Sequence, residues 1–130
     1  MSILEADLKK ALEGEVSRIP KPFRTDGVIQ QTIKCFLYAL LKDADLWPIP
    51  DFRPPRLSDG LLEIIGLNRS GVVVCCFAVR PVVELRAIKS LEALDVETKW
   101  MITFSALSKK VKESTFFLRA GIRHLHLDQR

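Results

Sequence analysis

The sequence has three cysteines, an odd number with Cys75 and Cys76 adjacent, and no Cys-x-x-Cys or Cys/His cluster. It therefore cannot rest on a paired disulfide framework and offers no four-ligand zinc site, so reduced structural thiols are expected. It lacks a long apolar run: the longest, Val72 to Val79, is eight residues, against roughly 20 for a membrane-crossing helix. No membrane contact is expected. The start, Met1-Ser2-Ile3-Leu4-Glu5-Ala6-Asp7, carries acids where a secretory leader carries positive charge, and a cytoplasmic location is the expectation. No internal repeat, glycine-rich phosphate loop or nucleophile elbow occurs, which removes the enzyme classes those motifs mark.

What is present is an ordinary globular composition. With 130 residues, 48% hydrophobic and 28% charged, the chain predicts one domain over 1–130 with one core. An N-terminal helix and proline-containing linker (1–25) precede an α/β core (26–130). The net charge of +4 is unevenly spread: residues 1–98 hold 13 basic and 14 acidic side chains, residues 99–130 hold 7 and 2. Positive potential gathers in the last quarter, where a polyanion would be attracted.

Ser2 and Glu5 form a capping-box pattern, and Leu4, Leu8, Ala11 and Leu12 recur at helical spacing, predicting a first helix to about Arg18. Pro20 and Pro22 break it. Asp26 is read as the cap of a second helix, from Val28 to about Asp43, whose stripe of Ile29, Ile33, Phe36, Leu37, Leu40 and Leu41 should face the sheet. Four prolines between Leu46 and Arg56 suit a packed irregular connection with room for one short strand. Leu61–Leu67 and Val72–Val79, joined by Asn68-Arg69-Ser70-Gly71, read as a hairpin whose second strand is covered on both faces. Pro81 suits the start of a helix ending near Asp95. Trp100–Phe104 reads as a strand, Ser105 or Ser108 as the cap of a helix through Ala120 stopped by Gly121, and Ile122–Leu127 as the last strand. The fold class is α/β: a mixed sheet, an antiparallel hairpin plus parallel crossover strands, flanked by helices.

In such sheets chemistry collects at strand ends and helix starts. The carboxylates there are Asp59, Glu63 and Glu84, with Glu63 and Glu84 the metal candidates. Structurally, Asp59 would make a turn with Gly60, Glu63 would point to solvent and Glu84 would favour its helix dipole. The run Ser58-Asp59-Gly60-Leu61-Leu62-Glu63-Ile64-Ile65-Gly66, then Val72-Val73-Val74-Cys75-Cys76-Phe77, resembles the hairpin of the restriction-endonuclease-like superfamily, in particular its Mrr-like branch. Thr103 to Glu113 and Gly121 to Leu125 are similar to that branch's third strand, following helix and closing strand. The resemblance covers about residues 26–127 and implies a nuclease scaffold with an extra N-terminal helix. It sets Glu63 where the family's metal-binding acid stands, Cys75 where its Gln or Glu stands, and Phe77 where its catalytic Lys stands. A thiol is a poor partner for Mg²⁺ and a phenyl ring moves no proton, so the resemblance implies a degenerate motif, with Mg²⁺ as cofactor only if cleavage survives.

The reading adopted is a nuclease-fold protein that has lost cleavage and binds DNA or RNA through Lys109, Lys110, Lys112, Arg119 and Arg123. On a helical wheel Lys109, Lys112, Phe116 and Arg119 share a stripe opposite Leu107, Val111 and Leu118. Two rivals stand beside it. One is a non-catalytic interaction subunit, partnered by another protein or its own copy, that uses the first helix, Trp47, Phe52 and Phe116. The other is an active Mg²⁺ nuclease on Asp59, Glu63 and Glu84. His124 and His126, which alternate onto one side of the last strand, read as surface or lightly buried side chains.

Overall fold

The structure, a computed structural model, describes residues 5–56 and 60–129. Ser2, Leu4 and Asp59 lie outside them. Helix α1 (Glu5–Ser17) and a 3-10 turn (Lys21–Phe23) lead into α2 (Asp26–Asp43). Then follow β1 (Trp47–Phe52), β2 (Leu62–Leu67), β3 (Val73–Arg80), α3 (Leu85–Glu92), β4 (Thr98–Thr103), α4 (Ser108–Ser114), a second 3-10 turn (Thr115–Phe117) and β5 (Arg123–His126). The five strands run β1-β2-β3-β4-β5 across one sheet. The first two pairings are antiparallel and the last two parallel, so the sheet is mixed and the fold is α/β.

Helices cover both faces. Leu8, Leu12 and Val16 of α1 and Ile29, Ile33, Leu37 and Leu41 of α2 close over Ile64, Phe77, Val79, Trp100, Ile102 and Leu125. On the opposite face Ala87, Ile88 and Leu91 of α3 pack on Leu62, Ile65, Cys76, Ala78 and Met101. The crossovers from β3 to β4 and from β4 to β5 advance in the same direction, and right-handed crossovers then bring their helices to one face. Phe117, Leu118 and Ile122, after α4, accordingly join the α3 side. The strand β3, buried on both faces from Cys75 onward, is the central strand its apolar run predicts.

Several boundaries differ from those the sequence suggests. Thr25, not Asp26, caps α2, its side chain accepting the Val28 amide at 3.3 Å. The proline segment is a full edge strand. Proline has no amide hydrogen, so Pro48 and Pro50, opposite Gly66 and Ile64, give no donor to a ladder, and the segment suits the edge position that it takes. Helix α3 starts at Leu85, not Pro81, because the Pro81 carbonyl accepts the Phe104 and Ser105 amides and holds that stretch beside β4. It ends at Glu92 rather than Asp95. Helix α4 stops at Ser114 and its last turn tightens over Thr115–Phe117, short of Ala120. Ser114 is spent on tertiary contact: its hydroxyl donates to the Val111 carbonyl at 2.6 Å and accepts the Val83 amide at 3.0 Å. β-Branched and aromatic residues then follow, which lose side-chain freedom in a helix. Neither Ser105 nor Ser108 caps α4: Leu107 occupies the cap position, while Ser105 Oγ accepts the Leu107 amide at 3.1 Å. Gly121 is left-handed (φ 84°) as expected, but it forms the turn into β5.

Candidate functional site

Glu63 follows the first residue of β2 and is buried, 3% exposed in its side chain. β2 and β3 are antiparallel, with Ile64 opposite Phe77 and Gly66 opposite Cys75. The start of β2 therefore lies beside the end of β3, and Glu63 meets Val79 and Arg80. The Arg80 Nη1 donates to both carboxylate oxygens of Glu63 at 2.6 Å. The Val79 amide donates to Oε1 at 2.7 Å, and Gln30 of α2 donates to Oε2 at 2.9 Å and to the Val79 carbonyl at 2.8 Å. The rest of the Arg80 guanidinium is also occupied: Nη2 donates to the Leu61 carbonyl at 2.6 Å and Nε to Glu84 Oε1 at 3.2 Å. Glu84 stands at the cap position of α3 in an extended conformation, outside the first turn, and binds Arg80 rather than the helix end.

The structure thus brings Glu63 and Glu84 to one cluster with Arg80 between them. Glu63 does not point to solvent. A carboxylate has about four lone-pair positions. Those of Glu63 already receive Val79, Gln30 and the Arg80 Nη1, which bridges the two oxygens. Burial pushes its carboxyl above the usual carboxylate range, against the downward pull of the Arg80 guanidinium and the Val79 amide. These residues do not fit Mg²⁺, which needs open carboxylate oxygens and keeps several waters. Among the described residues no three His, Cys, Asp or Glu side chains gather into a metal-ligating group.

Cys75 and Phe77 belong to the dry core under α2, 1% and 0% exposed. Burial pushes the Cys75 thiol up to about 11 and that of Cys76 to about 12, which suppresses the thiolate needed for ligation or attack. Residues that sequence reasoning missed are Arg80 and Gln30. Arg80 had a signal: it is the first charge after the eight-residue apolar run, and a guanidinium ending a fully covered strand needs a buried partner. Gln30, one polar residue on an amphipathic helix, had none.

The basic candidates lie on α4, the turn after it and β5, and none belongs to the Glu63 cluster, although the end of α4 touches Val83 next to Glu84. Lys109, Lys110 and Lys112 are exposed on α4, and none has a carboxylate partner within 4 Å among the described residues. Because α4 stops early, the stripe is not one helical face: Phe116 is 83% exposed beyond the helix end, and Arg119 Nη1 donates to the Phe117 and Leu118 carbonyls. Leu107, expected on the buried side, is exposed. Arg123, on β5, sits 5.3 Å over the Trp100 ring. Of the surfaces suggested for a protein partner, Trp47 and Phe116 are exposed and Phe52 is half-buried. His124 and His126 do share a side, their rings meeting the Thr103 hydroxyl at 2.8 and 2.9 Å.

No protein-family model and no curated protein matches this chain. Among solved structures it is similar to the crystal structure of a repair endonuclease from Pyrococcus abyssi, with 12% sequence identity and a TM-score of 0.41 over 78% of this chain and 46% of that one. The chain spans less than half the length of that solved chain. Among the described residues no helix is long and apolar enough to cross a membrane.

Proposed function

We propose that this protein is a non-cleaving nucleic-acid-binding domain built on a nuclease-like α/β scaffold of the Mrr-like kind. The observation that carries the loss of cleavage is the closed carboxylate of Glu63. A cation does reach it, but Arg80 covers both oxygens and leaves no position for a divalent ion or an activated water. Binding is supported by the exposed cations Lys109, Lys110 and Lys112, which have no carboxylate partner among the described residues. Arg119 and Arg123 join them in the quarter of the chain that holds 7 basic and 2 acidic residues. Such cations release counterions from a phosphate backbone, and Phe116 beside them offers a ring for stacking.

The test is a gel shift and a cleavage assay on labelled duplex and single-stranded DNA and RNA, with Mg²⁺ or Mn²⁺. The expected result is salt-dependent binding without cleavage. Lys109→Ala/Lys110→Ala/Lys112→Ala should weaken binding and flatten the log–log salt slope by about 0.9 for each duplex phosphate that is no longer neutralised. Cleavage that Glu63→Ala abolishes would return the protein to the metal-dependent nucleases, and binding insensitive to salt would remove the role of α4.

A further inference from the structure

At the far end of β2 from Glu63, where Trp47 pairs with Leu67, the end of α2, the link into β1 and the β2–β3 turn border an open pocket of about 460 Å³. That is within the roughly 300–1,000 Å³ of small-ligand sites. Its walls include Tyr38, Trp47 and Pro48, and its rim Lys42, Asp45 and Arg69. Trp47 is 69% exposed and Tyr38 39%, two exposed rings lining one pocket. The Lys42 ammonium lies 6.0 Å from the Tyr38 ring centre. Arg69 is held by Asp45 through Nε and Nη2 at 2.9 and 2.5 Å, both on one oxygen. The turn that carries it is fixed by Asn68, whose side chain accepts the Ser70 and Val72 amides at 2.9 and 3.0 Å. Asp45 cancels one of the two cations, so the mouth keeps a single net positive charge.

Aromatic faces flanked by cations fit a planar base with a phosphate beside it. An added β-strand does not fit, since Pro48 and Pro50 have no amide to donate to it. A base within a duplex keeps its faces stacked, so the occupant must be unpaired. We propose that this pocket takes an unpaired base of a single-stranded nucleic acid, stacked on Trp47 and Tyr38, with the adjacent phosphate at Lys42 and Arg69. The inference extends the nucleic-acid reading to a second surface, and β1 stands at the opposite edge of the sheet from β5, so the two surfaces are separable.

Tryptophan fluorescence provides the test, because Trp100 is buried at 2% exposure and Trp47 is not. A short oligo(dT) should quench the Trp47 emission more strongly than the same length of duplex. Trp47→Ala should abolish that quenching and weaken oligo(dT) binding by roughly five- to 150-fold, the range for one stacked base, while Trp47→Phe retains most of the affinity. Lys42→Ala should flatten the salt dependence of oligo(dT) binding. The triple lysine variant of α4 should leave the quenching in place. Absence of quenching by oligo(dT), whatever α4 binds, overturns the proposal. Quenching by a proline-rich peptide but not by the oligonucleotide also overturns it and makes the pocket a peptide site.

Discussion

Taking a carboxylate and a guanidinium out of water costs several kcal/mol each unless the protein replaces their hydration. Glu63 and Arg80, 3% and 11% exposed in their side chains, have that replacement in each other, in the Val79 amide and in Gln30. The cluster is consequently asymmetric toward mutation. Arg80→Met should destabilise the fold by about 3–5 kcal/mol, because it strands a buried carboxylate. Glu63→Gln combined with Arg80→Met removes that charge while leaving a side-chain oxygen for the Val79 amide, and should recover more than half of the loss. Urea unfolding of the wild type, single and double variants measures this. A double variant as unstable as Arg80→Met alone would mean that the arginine acts through packing and not through charge. The same residues mark the limit of sequence reading. Glu63 was legible as a carboxylate at a strand start, but its partner was not, since a fit by motif sets it against Cys75 and Phe77. Antiparallel register carries the start of β2 to the end of β3, and the step along β3 from Phe77 to Arg80 exchanges a phenyl ring for a guanidinium.

At the scale of elements, hydrophobic period made α1, α2, the β2–β3 hairpin and the strands β4 and β5 readable, because each buries a face large enough to print its repeat on the sequence. The start of α3 and the end of α4 were not readable, for tertiary hydrogen bonds to Pro81 and Ser114 set them. Nor was the closeness of α3 to the chain entering β2. A methyl group at Gly60 would collide with the Ser90 side chain and lie 2.9 Å from the Arg86 carbonyl oxygen, so this glycine is needed for approach. Gly60→Ala should cost roughly 1–3 kcal/mol, read as a lowered urea midpoint with unchanged slope. Ser90 Oγ is buried with no hydrogen-bond partner among the described residues. Ser90→Ala alone should therefore be close to neutral, and added to Gly60→Ala it should restore only part of the loss, because the Arg86 backbone still obstructs. Full rescue would locate the whole clash in the serine hydroxyl and leave the helix backbone irrelevant.

For the molecule as a whole, the N-terminal helix and the last strand are closed together by polar contacts around β5. The Asp128 amide donates to Glu13 at 2.6 Å, Lys9 lies 3.3 Å from Asp128, and His126 stands 3.9 Å from the same carboxylate. Behind them His124 and His126 share the buried Thr103 hydroxyl. Burial lowers both imidazoles from the ordinary value of 6.5. For His124 the neighbouring His126 adds to this and Glu5 opposes it; for His126, Asp128 and Glu13 oppose it and Lys9 assists. The unfolded chain therefore takes up protons near pH 6.5 that the folded chain resists. Where the unfolded state binds more protons, stability rises with pH, so acidification from about pH 7.5 through about pH 6.5 and below should progressively lower the thermal midpoint. His124→Gln with His126→Gln keeps hydrogen-bonding side chains at both positions but removes the titration, and its midpoint should fall less over the same interval. Equal slopes for the two proteins would mean that the histidine pair does not carry the acid sensitivity, and the pair would then be a neutral strut between β4 and β5.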